Sequence, residues 1–180
     1  MFEIPKLRAE RLELRPIEVK DAGDMFEIFS NEEVIRYLSW KQHKSLSETE
    51  HVIEAILERK INLWAITLKE TGKVVGSLSI AAKENPSIGE VGFMLSQNYW
   101  NQGIMKEALT KVLVFGFENM GFNQIEARCV KENEASARLL EKVGFTFQTI
   151  QEKEITLKDV RYDAKLFIVK NEQERDDKDN

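Results

Sequence analysis

The chain predicts an α/β fold, one domain in which strands and helices alternate with no linker and no internal repeat. Three observations carry this reading. The strand-like run Ile88–Leu95 leads through a Gln102-Gly103 turn into a long apolar helix. The alternating run Gln124–Val130 leads into a shorter amphipathic helix that opens at Asn133 and stops at Gly144. Between two further strand-like runs, Glu70-Thr71-Gly72-Lys73 has the composition of a hairpin turn.

The elements follow in order. Residues 11–17 alternate as a strand does, and residues 21–38 carry helical apolar spacing through Met25, Ile28, Phe29, Val34 and Leu38, broken near Asn31. Ser47-Glu48-Thr49-Glu50 fits a capping box and starts a helix whose buried face is Val52, Ile53, Ile56 and Leu57. Leu63–Leu68 and residues 74–81 are the strands of the hairpin, and Pro86 ends that stretch. The helix after Gly103 extends to about Asn119, with Met105, Ala108, Leu109, Val112 and Leu113 toward the core. Residues 145–150 and 161–169 close the sheet, for about seven strands in all. The domain spans residues 1–170. Residues 171–180 are charged, hold no apolar side chain and are expected to be a disordered tail.

Bulk properties set limits on function. A chain of 180 residues has room for a proper core, and 42% hydrophobic with 32% charged residues is ordinary for a soluble protein. A net charge of −5 argues against a general nucleic-acid binder and suits a basic acceptor. The lone Cys129 excludes an internal disulfide, and the two histidines add no metal-ligand pattern, so no metal is expected. No apolar run approaches the ~20 residues of a membrane span, and no signal-peptide core stands at the N-terminus; the expected location is cytoplasmic, away from membranes.

Chemistry concentrates at two helix starts. The first helical N–H groups after Gly103 lack intrahelical partners, and no acidic residue intervenes before Glu107. Such a terminus takes phosphate or pyrophosphate. The dinucleotide and P-loop glycine patterns that would compete are absent from the sequence. At the second start, Asn133 is a good N-cap, Ser136, Leu139, Leu140 and Val143 share a face, and Gly144 suits a left-handed C-terminal residue behind Lys142.

Taken as a pair, Trp100-x-x-Gly103-x-x-x-Glu107-Ala108 and Asn133-x-x-Ser136-x-x-Leu139-x-x-Lys142-x-Gly144-Phe145 resemble the GNAT acetyltransferase superfamily. The segments Glu10-Arg11-Leu12-Glu13-Leu14-Arg15-Pro16, Asp21-Ala22 and Glu33-Val34-Ile35-Arg36-Tyr37-Leu38 are similar to its ribosomal-protein N-terminal acetyltransferase (RimJ/RimL-like) branch. The resemblance covers about residues 8–169. It departs at Asn101, where the branch usually has Gly, and at Met105, where it has a small residue.

The resemblance implies a mixed, strongly twisted sheet with a cleft where neighbouring strands splay, and acetyl-CoA as co-substrate. The pyrophosphate would then rest on the turn and helix start formed by Asn101, Gln102, Gly103, Ile104, Met105 and Lys106. Backbone of Phe93, Met94 and Leu95 would pair with the pantetheine amides, and Asn133 would hold the pantetheine arm. Lys106, Arg138 and Lys142 are candidate phosphate partners. The implied partner is an amine, either a protein N-terminus or a small molecule, and the branch suggests a homodimer that no residue pattern here specifies.

Direct acetyl transfer needs a neutral amine and a protonated leaving thiolate. An α-amino group, with a pKa of about 7.7–8.0, is partly neutral at pH 7, whereas a lysine near 10.4 is not. Ser136 is the candidate donor to the thiolate. Glu90, alone among apolar neighbours on its strand, is the candidate base acting through a water, since partial burial there would raise its pKa. A backbone N–H of the Ile88–Leu95 strand would polarise the thioester carbonyl. Cys129 and Trp64 read as core, His43 and His51 as surface, and Trp40 as a candidate wall of the acceptor pocket. Two other readings are a non-catalytic acyl-CoA sensor and a transferase using another acyl-CoA or nucleophile. The presence of both Glu90 and Ser136 favours catalysis over the first.

Overall fold

A computed structural model describes residues 4–171. It opens with a two-residue strand β1 (Leu7–Arg8) that turns back on β2 (Leu12–Pro16). Helices α1 (Ala22–Phe29), α2 (Glu32–Ile35) and α3 (Leu46–Glu58) follow, then strands β3 (Leu63–Leu68), β4 (Val74–Ala82) and β5 (Ile88–Leu95). The second half runs α4 (Ile104–Glu118), β6 (Gln124–Val130), α5 (Glu134–Val143), β7 (Thr146–Leu157) and β8 (Val160–Lys170). One eight-stranded sheet results, in the order β1-β2-β3-β4-β5-β6-β8-β7. All neighbours run antiparallel except β5 and β6, which α4 joins by a crossover.

The expected seven strands become eight because β1, only two residues long, lies below what alternation reveals. Both closing strands are also longer than expected. They meet at Lys158-Asp159, where both residues have positive φ (49° and 69°), the hand of turn that matches strand twist. Lys-Asp lacks the usual glycine, so the hairpin was hidden in the sequence. Of residues 171–180, only Asn171 lies among the described residues, and the expected tail falls outside them.

Local sequence explains most boundaries. Asn31, the break in the first helical pattern, caps α2 by accepting from the N–H groups of Glu33 and Val34. Helix α3 starts two residues before the expected point, with Ser45 rather than Ser47 as cap. The hydroxyl of Ser45 accepts from Glu48 N at 3.4 Å, and Glu48 Oε2 accepts from Lys44 N at 2.7 Å. Both Ser-x-x-Glu patterns satisfy the motif, and the earlier one turns Thr49, Ile53 and Ile56 inward. Leu57, expected on that face, is 43% exposed in the last turn.

The sheet is packed on both faces. Helices α4 and α5 cover one, burying Met105, Ala108, Leu109 and Val112 against Leu78, Ile80, Val91 and Ala127. The first three helices cover part of the other, with Met25, Ile28, Phe29 and Ile53 against Ala65 and Val74. His43, expected at the surface, belongs to this second core: it stacks on Phe29 with ring centroids 4.4 Å apart, and its Nδ1 is 2.8 Å from Thr49 Oγ1. Its loop carried no periodicity from which burial was readable.

Candidate active site

The site begins where the parallel pair fails. β5 and β6 are paired from Ile88 opposite Gln124 to Val91 opposite Ala127, and no further. β5 stays paired to β4 as far as Leu95, and β6 to β8 as far as Val130. The opening therefore lies between Gly92–Leu95 on one side and Arg128–Val130 on the other. Alternate backbone N–H and C=O groups along an antiparallel strand face its second neighbour. In Phe93 and Leu95 those groups face the opening, with Leu95 O already accepting from Trp100 Nε1, whereas Met94, opposite Ser77, turns its own toward β4, against the expectation that all three would serve.

The end of β5 delivers the chain to the N-terminus of α4. Ser96 N donates to Val75 O, Trp100 Nε1 donates to Leu95 O at 2.9 Å, and Gln102 Nε2 donates to Asn98 O at 2.8 Å. Asn101 (φ 60°) and Gly103 (φ 76°) are both left-handed, so Asn101 makes the turn that Gly usually makes. Among the described residues no side chain caps α4, whose first N–H groups lack intrahelical partners. Met105 does not crowd this place. Its side chain is buried with Ala108 and Leu109 in the core under the helix.

Helix α5 brings the second set. Asn133 Oδ1 accepts from Ser136 N at 3.1 Å, as a cap should, and Gly144 is left-handed (φ 109°). The Ser136 side chain lies near enough to the thiol of Cys129 to favour its charged form, and Cys129 stands two residues past the last position at which β6 pairs with β5. Burial pushes that thiol above its ordinary range, against the opposing pull of nearby Lys165 and of Ser136. Cys129 is core, as expected, and lies near the candidate thiol donor.

Glu90, the one charged residue of β5, has a charged partner on the neighbouring strand. Arg128 Nη1 donates to Glu90 Oε1 at 2.6 Å, while Arg128 Nη2 lies 3.1 Å from Glu126 Oε2 and Arg128 Nε donates to Gln151. Lys83 Nζ donates to Glu126 Oε2 at 2.7 Å. Desolvation pushes the Glu126 carboxyl up, but Lys83 and Arg128 outweigh it and hold the group below its usual range. An isolated base was expected because Arg128 is 38 residues away; only the parallel register makes it a neighbour. Val91, Ala127 and Cys129 face α4 and α5. Alternation therefore sends Glu90, Glu126 and Arg128 to the opposite face. There an open cleft of about 550 Å³ is lined by Lys83, Glu84, Asn85, Ile88, Glu90 and Glu126.

The opening thus joins two faces: an anion cradle and Ser136 on one, Glu90 on the other. Lys106 and Arg138 are exposed near the helix starts. Lys142 is also exposed but stands in the last turn of α5, about 14 Å along the axis from Asn133. Trp40 is 36% exposed and packs edge-on to Phe29.

The acetyltransferase (GNAT) domain model matches residues 11–146. The uncharacterized N-acetyltransferase YoaA of Bacillus subtilis is 29% identical over 92% of this chain and 96% of its own length. The uncharacterized N-acetyltransferase p20 of Bacillus licheniformis is 33% identical over 77% of this chain and 81% of its own. A solved structure of RimL, a ribosomal L7/L12 alpha-N-protein acetyltransferase in complex with coenzyme A, superposes with a TM-score of 0.80 at 18% identity, covering 92% of this chain and 98% of that one. The chain belongs to the GNAT acetyltransferase family. It is an acyltransferase built on that family's open mixed sheet.

Proposed function

We propose that this enzyme transfers acetyl from acetyl-CoA to a primary amine directly, without an acetylated protein group. One observation carries the reading: the uncapped N-terminus of α4 stands at the mouth of the opening between β5 and β6. The donor set fits the co-substrate. Backbone N–H groups at Gly103, Ile104, Met105 and Lys106 suit a diphosphate, aided by the Lys106 ammonium. The backbone of Phe93 and the N–H of Leu95, on the unpaired side of β5, suit the amides of a pantetheine arm, and the Asn133 side chain faces the same arm from α5. RimL, a fold neighbour, was solved with coenzyme A, which supports this choice.

The bound thioester supplies an activated acetyl group and a leaving thiolate. A backbone N–H of β5 holds the carbonyl oxygen. From the opposite face, Glu90 takes the proton of the incoming ammonium through a water; its Oε2 is not engaged by Arg128. Ser136, whose side chain lies near the Cys129 thiol, donates a hydrogen bond to the departing thiolate, which leaves as the thiol by taking up the second proton of the attacking amine. An α-amine needs little help to lose its proton at neutral pH, so a peptide N-terminus or a small α-amine is the favoured acceptor, as in the RimJ/RimL-like branch. Incubation with acetyl-CoA and a panel of N-terminal peptides, polyamines and amino acids tests this. The expected result is thiol release together with an acetylated amine seen by mass spectrometry. Thiol release with an acetylated hydroxyl, or with acetate alone, would contradict it.

A further inference from the structure

The motif around Arg11 has no part in the chemistry above, yet the fold delivers Arg11 to the cradle. Arg11 lies in the turn between β1 and β2 and spends three donors on the start of α4. Its backbone N–H and Nε donate to the two carboxylate oxygens of Glu107 at 2.7 and 2.8 Å, and Nη1 donates to Gln102 O at 2.9 Å. Nη2 stands beside the turn, 3.4 Å from where a Cβ on Gly103 would be. Two segments that resemble the family separately, 96 residues apart in the chain, meet at this point.

Building on the acetyl-CoA reading, we propose that Arg11 is a positioning residue of the diphosphate cradle, aiming its N–H groups and shielding the cofactor from Glu107. Two physical arguments converge. In a trans peptide the C=O and N–H point in opposite directions. With the Gln102 carbonyl held by Arg11, the N–H of Gly103 is turned away from Arg11, to the open side of the turn. The turn needs such a tie, because its two left-handed residues leave it without a helical bond until Glu107 N reaches Gly103 O at 3.0 Å. The second argument is charge. Glu107 lies in the first turn of α4, where a carboxylate suits the helix dipole but repels a bound diphosphate. Arg11 pairs with it and so offsets that repulsion.

Calorimetric titration of the parent, Arg11→Ala and Arg11→Lys with CoA tests the proposal. Pantetheine, which has the arm and the thiol but no diphosphate, is measured alongside by competition against CoA. Arg11→Ala is expected to weaken CoA about tenfold, the scale of one or two charge-assisted hydrogen bonds, and to leave pantetheine unchanged. Arg11→Lys keeps the charge and loses the fork, so a loss of about threefold is expected. Should the alanine variant fail to fold, the lysine variant decides alone. CoA affinity unchanged in the variants would overturn the proposal, as would equal losses for CoA and pantetheine, which mark a merely structural tie. A parent that does not bind CoA removes the acetyl-CoA reading and this proposal with it.

Discussion

Asp21 is held by both arms of Arg15, Nη1 to Oδ2 at 2.8 Å and Nη2 to Oδ1 at 2.6 Å, with side chains only 4% and 11% exposed. Removing one partner leaves a buried charge, so Asp21→Ala is expected to cost about 3–5 kcal/mol in denaturant unfolding. A loss below about 1 kcal/mol would mean that the pair is solvated. His43 gives a pH signature. Burial holds its proton affinity below the ordinary 6.5, with Glu48 opposing. The unfolded chain then takes up the proton first as pH falls. The contribution of neutral His43 is complete above 6.5 and is lost as pH drops from there through the lower folded-state value. Stability should fall across that window with a slope of at most about 1.4 kcal/mol per pH unit, and His43→Gln should flatten it. An equal slope in the variant would place the titration elsewhere. At the reacting centre, Ser136→Ala is expected to lower kcat more than it weakens cofactor binding, and Glu90→Gln to move the acidic limb of the pH–rate profile. Equal turnover in the first variant, or an unmoved limb in the second, removes that residue from the mechanism.

Among the elements, α5 shows how much a local pattern specifies. Asn133, Gly144 and the apolar face between them define the helix, and each is found in its expected role. Asn133→Ala should therefore cost about 1 kcal/mol of stability by thermal or denaturant unfolding. The β4–β5 ladder is constrained differently. A Cβ on Gly76 would stand 2.4 Å from the Met94 carbonyl oxygen and 3.2 Å from Leu95 Cα, contacts with backbone that no rotamer relieves. Gly76→Ala should force the strands apart beside the opening, at a cost of at least about 2 kcal/mol. A variant as stable as the parent would show that the ladder can shift. What the sequence revealed follows from range. Caps, turns and periodicity act over a few residues, so the two site helices α4 and α5 and strands β3, β5 and β6 are legible in the sequence. The Arg128–Glu90 pair, the Arg11–Glu107 pair and the burial of His43 depend on register and packing between distant segments. No local signal carried them. The start of α3 was missed for another reason, since two overlapping Ser-x-x-Glu patterns compete and packing selects between them.

At the scale of the molecule, one topological fact organises function. An otherwise antiparallel sheet contains a single parallel pair, β5 and β6, and that pair separates after Val91 and Ala127. Helix α4, the crossover between them, must start at the mouth of the resulting opening and point its dipole there. Helix α5 follows β6 and brings Ser136 to the same place. The first three helices cover only part of the other face, which leaves Glu90 and its cleft uncovered. No helix among the described residues is long and apolar enough to cross a membrane. The central claim is that this opening receives acetyl-CoA despite Asn101 and Met105. Calorimetric titration of the purified protein with acetyl-CoA tests it most directly. Saturable one-to-one binding in the micromolar range is the predicted result. Absence of binding at millimolar acetyl-CoA would contradict the account.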